Sequence, residues 1–255
     1  MWGLKAWRRR RTSGHAAVSD AIWQKVVSRI VFLRALTHGE QGRLRDLTQR
    51  FLGKKQMSGA AGLQLTDEMR TVIAAQACLL ILNLDLDYYR GWVEVIVYPS
   101  DFMPQHEYTD EDGVVHVAHE PMQGEAWLQG PVILSWEAAA DAGNNQGVNV
   151  VIHEFAHKLD MLNGEPNGFP PLHEDMSRES WMRDFSRAYQ DFCDRVDRGE
   201  DTAVDPYAAE NPAEFFAVLS EVFFESPLVL KSSYPEVYRQ LSLFYRQDPT
   251  LRMMR

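Results

Sequence analysis

Cysteine is scarce in this 255-residue chain, which has only Cys78 and Cys193. Each lies in an apolar-periodic stretch. Two thiols cannot form a disulfide framework or a cysteine zinc site, so both read as core residues. Long apolar runs are also lacking. The longest, Val72 to Leu84, spans about thirteen residues and contains Gln76, so it predicts a buried helix and not a membrane span. The Arg run at Arg8 to Arg11 is not followed by the apolar stretch of about 7–15 residues that a signal peptide needs. By elimination the expectation is a soluble cytoplasmic protein with no membrane partner. Beyond residue 60, basic charge is in short supply. Residues 1–60 carry thirteen Lys/Arg against three Asp/Glu, and the remainder carries thirteen against thirty-three. An acidic body of this kind argues against binding phosphate backbones, so no nucleic-acid partner is expected. There is no internal repeat and no low-complexity tract.

What is present suits a folded protein. Apolar residues make up 45% of the chain and aromatics 11%, enough for a substantial core. Residues 1–18 read as a loose basic tail, and 19–255 as one domain. Helical spacing runs over Asp20 to Leu36, with Ile22, Val26, Ile30 and Leu33, and over His38 to Phe51. A Gly-containing turn follows at Ser58 to Gly62. Thr66 then reads as the N-cap of a helix reaching Leu82 that is apolar nearly all round. Short strands are expected at Val93 to Val97, Val114 to Ala118 and Val132 to Trp136. Helix returns from Val148, and after a loop at Pro166 to Pro171 continues over Trp181–Val196, Pro212–Phe224 and Glu236–Arg246. Helices, a small sheet, then helices give an α+β class, mostly helical with a small mixed sheet.

The chemistry is concentrated at Val150-Val151-Ile152-His153-Glu154-Phe155-Ala156-His157-Lys158-Leu159-Asp160, which contains His-Glu-x-x-His. On a helix His153 and His157 lie one turn apart on one face, so both imidazoles can bind a single ion. Neutral imidazole suits Zn²⁺. Glu154 lies beside them, placed to take a proton from water and not to ligate. Chance supplies roughly 0.02 such matches in a chain of this composition. The apolar run before the motif implies a buried helix with inward histidines.

A third ligand is needed, and four residues compete. The metzincin pattern wants Gly at 160 and His at 163, whereas the chain has Asp160 and Asn163. Asp160 itself is displaced about 10.5 Å along the helix axis from His153, too far to converge on the same ion. It suits a second-layer role, orienting a ligand histidine, or equally that of a plain surface acid at the helix C-terminus; Glu221 is a second candidate for the second layer. Glu210, Glu214 and Glu221 remain. Asn211 reads as an N-cap with Pro212 at the first helical position, so Glu214 has a complete explanation as the acid of a capping box. Yet Glu214, Val218 and Glu221 share one face of an otherwise apolar helix, and carboxylates on a buried face need a cation or strong hydrogen bonds. Spacing ranks Glu214 ahead of Glu221 without settling the choice. His116 and His119, three apart in a strand-like segment, point to opposite faces and read as ordinary loop histidines. The strand Val132 to Trp136, just upstream of the motif, is a candidate edge for an extended peptide, although an interior strand fits the same residues.

The stretches 147–160 and 211–221 together resemble the Mlc titration factor A family of bacterial zinc peptidases. The segments Leu65–Arg70, Ala74–Leu80, Val97–Ser100 and Val132–Trp136 fit it as well. The resemblance covers residue 20 to the C-terminus. It implies a zincin-like core related to the anthrax lethal factor peptidase domain. It also implies one Zn²⁺ held by His153, His157 and Glu214, with Glu154 as general base and Tyr207 as an oxyanion donor. An aminopeptidase-like preference is implied too. So is binding of the repressor Mlc, which would regulate the glucose phosphotransferase genes. A role confined to titrating that repressor, without catalysis, is the alternative of a different class.

Overall fold

A computed structural model of the chain describes residues 18–103, 107–109, 115–117, 122–144 and 146–253. Most of the basic tail lies outside the described residues, as do Val114, Ala118 and His119 of the sequence expectations.

The chain opens with α1 (Asp20–Arg29), α2 (Val31–Arg34) and α3 (His38–Lys54), then β1 (Gln56–Gly59) and α4 (Asp67–Leu80). The expected single helix over Asp20 to Leu36 is broken at Ile30, whose extended ψ of 114° lets Val31 N–H reach Gly143 O at 3.0 Å. That tertiary hydrogen bond decides the break. Thr66 caps α4 by accepting from Met69 N–H, and every residue from Thr71 to Leu80 is buried. The helix ends two residues short of the expected Leu82.

The middle of the chain supplies β2 (Glu94–Tyr98), β3 (Glu107–Thr109), β4 (Val115–Val117), β5 (Gly124–Ala126) and β6 (Val132–Ser135). One sheet has the order β1-β2-β6-β5, with the first three parallel and β5 antiparallel at the edge. β3 and β4 form a separate antiparallel pair. β1 occupies part of the expected Gly-containing turn. Gln-Met-Ser-Gly has no alternation of its own, and pairing with β2 makes it a strand. The strand expected at Val132 to Trp136 stops at Ser135, whose hydroxyl accepts from Ala138 N–H and starts α5 (Trp136–Asp141). β6 is an interior strand, and the edges of this sheet are β1 and β5.

The remaining elements are α6 (Val150–Asp160), α7 (Arg178–Asp197), α8 (Pro212–Glu225), α9 (Pro227–Ser233), α10 (Pro235–Tyr245) and α11 (Thr250–Met253). Val95, Val97, Val132 and Leu134 turn one face of the sheet into the core. α6 runs through that core, and Phe155 sits among Phe51, Tyr89 and Trp92 at ring separations of 5.2–5.7 Å. The fold is α+β, mostly helical with a small mixed sheet. No helix among the described residues is long and apolar enough to cross a membrane.

Candidate metal centre

The motif helix begins at Asn149, whose side-chain oxygen accepts from Ile152 N–H at 3.0 Å. Val151, Ile152, Phe155, Ala156 and Leu159 are buried, which fixes the rotation of α6 and turns the two histidines toward α8. α8 is started by Asn211, which accepts from Ala213 and Glu214 N–H at 2.9 and 3.0 Å, with Pro212 at the first position. This is half of a capping box. The Glu214 carboxylate does not turn back to Asn211 but reaches across to α6.

There Glu214 Oε2 lies 2.9 Å from His153 Nε2 and 3.3 Å from His157 Nε2, and the two imidazole nitrogens are 3.2 Å apart. A tetrahedral ion about 2.0–2.1 Å from each donor requires donors roughly 3.3–3.4 Å apart, so this triangle is close to one face of such a polyhedron. Two imidazoles and one carboxylate are also a donor set that a zinc-type cation takes. Among the described residues this is the one cluster of metal-ligating side chains.

Glu221 lies on the other side of the same imidazole. Its Oε1 is 2.7 Å from His153 Nδ1, and a carboxylate there can only accept, which leaves Nε2 facing Glu214. Glu210 is exposed and does not join the cluster. Asp160 is placed differently from the expectation: its Oδ2 accepts from Asn167 and Gly168 N–H, both at 2.7 Å, and it makes no hydrogen bond to either histidine among the described residues. Gly168 in turn packs on the start of α8, where a Cβ would meet the Pro212 carbonyl carbon at 2.9 Å. Asp160 thus supports the loop under α8. His157 Nδ1 and Asp160 Oδ1 are buried without hydrogen-bond partners among the described residues.

Tyr207 lies in a 3₁₀ turn, Pro206–Ala209, begun by Asp205, which accepts from Tyr207 N–H at 2.9 Å. The ring is half exposed and its centroid is 6.2 Å from that of His153. Burial, with Glu214 and Glu154 nearby, pushes the phenol up to about 12. Its hydroxyl therefore keeps its proton at neutral pH.

The electrostatics follow from these contacts. Burial opposes charge on His153, but the hydrogen bonds to Glu214 and Glu221 prevail and hold its pKa well above the usual imidazole value. Glu214 responds in the opposite sense. Burial would raise it, yet the two histidines hold it down at about 2. For Glu154 burial dominates and pushes it up to about 7, against the pull of His153 and His157. Burial also raises Glu221. The donor set is one that favours a positive charge at its centre.

Three further residues shape the site and were not singled out from the sequence. Gly124 of β5 faces Glu154, and a Cβ there would stand 2.7 Å from Glu154 Cγ and Val150 Cγ2, and nearer still to Glu154 Oε1. Lys158, buried, donates to Trp127 O and, at 3.0 Å, to Gly130 O, so it ties the β5–β6 turn to α6. Asn149 links three helices. Only Asn149 carried a local signal, as the residue just before the motif helix; the other two matter through contacts about thirty residues away in the chain.

Comparison with known proteins agrees with this geometry. The family model for the glucose-regulated metallo-peptidase M90 matches residues 4–246. Proteins named Mlc titration factor A are similar to the chain. The one from Salmonella arizonae is 39% identical over a 240-residue alignment that covers 92% of this chain and 94% of that protein. The one from Pectobacterium atrosepticum is 40% identical, covering 91% and 88%. The one from Yersinia pestis is 38% identical, covering 92% and 87%. A partly buried two-histidine, one-carboxylate centre on a helical core thus coincides with similarity along almost the whole chain: the protein belongs to the glucose-regulated metallo-peptidase family M90.

Proposed function

We propose that the chain is a zinc-dependent peptidase in which His153, His157 and Glu214 hold the ion and Glu154 and Tyr207 do the proton work. The observation that carries this reading is the donor triangle of 2.9, 3.2 and 3.3 Å, with Glu154 buried beside it. A zinc ion in that triangle supplies Lewis acidity to a scissile carbonyl and lowers the pKa of water at the site. Glu154 takes the proton from the attacking water and returns it to the leaving amine. A carboxyl held near neutral by burial is matched to doing both. Tyr207 donates its hydroxyl proton as a hydrogen bond to the carbonyl oxygen as that oxygen gains charge. Glu221 fixes the His153 tautomer. β5 offers the edge against which an extended peptide backbone lies, and Gly124 lets that edge approach Glu154.

The catalytic unit in this reading is residues 19–255, acting in the cytoplasm, in keeping with its two free cysteines. The preference we assign is aminopeptidase-like, since Glu210 and Asp205 lie close enough to Tyr207 to add negative charge that suits a free amine. A peptide with a free N-terminus is then cleaved faster than its acetylated form, and equal rates refute the preference. The deciding experiment is metal analysis of the purified chain together with E154Q. One zinc per chain in both proteins, with peptide cleavage lost by about 10²–10⁴-fold in the variant, is the expected result. A chain without zinc, indifferent to H153A, sinks the enzyme reading.

A second reading rests on the name of the relatives, which describes titration of Mlc. Binding of a transcriptional repressor is compatible with catalysis. E154Q separates the two: repressor capture that survives in the variant is independent of peptide cleavage.

A further inference from the structure

Two buried carboxylates of α8 meet the first turn of α6. Glu221 is 5% exposed and Glu225 1%, and both recur at helical spacing on the side of α8 that carries Glu214. Both take hydrogen bonds from one residue, Asn149. Glu221 Oε2 accepts the Asn149 backbone N–H, and Glu225 Oε1 accepts from Asn149 Nδ2 at 2.8 Å and from Gly143 N–H at 2.9 Å. The other Nδ2 proton goes to Gln76 Oε1 of α4 at 2.8 Å, while Asn149 Oδ1 caps α6. One buried side chain thereby joins α4, α6 and α8 with both of its donors and its acceptor in use.

Apolar side chains make a helix-to-helix contact without the desolvation cost of two carboxylates. The backbone N–H donors and the positive end of the α6 dipole offset that cost. What this arrangement adds is register. Glu214 and the histidines come from different helices, 57 and 61 residues apart in sequence, and a triangle with sides near 3 Å tolerates little sliding of one helix on the other. A greasy contact permits such sliding; directional hydrogen bonds at Glu221 and Glu225 do not.

We infer that Asn149 and Glu225 are positioning residues of the metal centre, locking α8 on α6 so that Glu214 meets His153 and His157. Glu225 acts about 16 Å along α8 from the ligand it positions. The inference rests on the reading of His153, His157 and Glu214 as metal ligands.

The test uses the full chain, stripped of metal, and competes it for Zn²⁺ against a chromophoric chelator. Co²⁺ absorption reports the symmetry of the site. N149S keeps an oxygen for Ile152 N–H but removes both amide donors. It should bind Zn²⁺ about 10–100-fold more weakly and show a weakened, shifted Co²⁺ d–d band, with the far-ultraviolet circular dichroism of the wild type. E225A should do the same, and E225Q, which keeps an oxygen for Asn149 and Gly143, should stay close to wild type. Wild-type Zn²⁺ affinity and an unaltered Co²⁺ spectrum in N149S and E225A overturn the inference while leaving the ligands intact. If E225A fails to fold, N149S against E225Q decides. A wild-type chain that binds neither ion removes the ligand assignment, and this inference with it.

Discussion

Gly124→Ala is the sharpest probe of how the edge strand and the motif helix are fitted together. The added methyl is small, the backbone at Gly124 is not left-handed, and the residue is neither a ligand nor an acid. Yet its Cβ would stand 2.7 Å from Glu154 Cγ and from Val150 Cγ2. Carbon atoms rest at about 3.5–4.0 Å, so the strand and the glutamate must part by about 0.8 Å or more. β5 is an edge strand and can move outward, which keeps the stability cost near the lower end of the about 1–3 kcal/mol typical of overpacking. Catalysis has no such freedom. A displacement near 1 Å between the proton acceptor and a peptide lying on β5 costs about 10²-fold in rate. The assay compares kcat/KM for a peptide substrate with zinc content and thermal midpoint. A loss of about 100-fold with one zinc per chain and a midpoint lowered by only a few degrees is expected. A kcat/KM within about threefold of wild type would refute the reasoning, because the strand edge would then have no bearing on the reacting group.

K158M removes the cation that holds Trp127 O and Gly130 O; backbone amides of the β5–β6 turn should exchange faster by mass spectrometry, and KM should rise more than kcat falls. F155A empties the centre of the Phe51–Tyr89–Trp92 cluster and should cost about 3–5 kcal/mol, read as a fall of roughly 10 °C in thermal midpoint. Glu40 probes acid stability. Burial would raise its pKa, but the Thr37 N–H and Arg252 hold it at about 2. Because the folded value lies below the unfolded one, its contribution is complete above pH 4.5 and is lost as pH falls toward 2. Wild type should therefore exceed E40Q by about 1–2 kcal/mol at neutral pH, after allowance for solvent screening, and match it near pH 2 in denaturant titrations. A gap that persists near pH 2 would contradict the assignment.

Much of the helical frame was legible in the sequence, because its signals are local. Thr66 and Asn211-Pro212 mark helix starts within one turn of their hydrogen-bond partners, and the apolar periodicity of α4, α6 and α8 names their buried faces. The His153–His157 pair is a matter of one helical turn, so pattern alone brings it together. β1 and β5 were not legible. Each is short, without alternation, and exists through pairing with β2 or β6.

By itself, then, the sequence determined where the motif helix lies, which two imidazoles share a face, which glutamate sits beside them, and that the body is acidic. Tertiary structure decided the rest. It sent the Glu214 carboxylate to the histidines and away from its own cap, and set Glu221 behind His153. It left Glu210 outside, turned Asp160 to the loop at Gly168, and placed β6 inside the sheet with β1 and β5 at its edges. The physical reason is distance along the chain. A helix fixes geometry between residues three and four apart, whereas a carboxylate some sixty residues from its imidazole is placed only by how two helices pack and by the buried hydrogen bonds that stop them sliding.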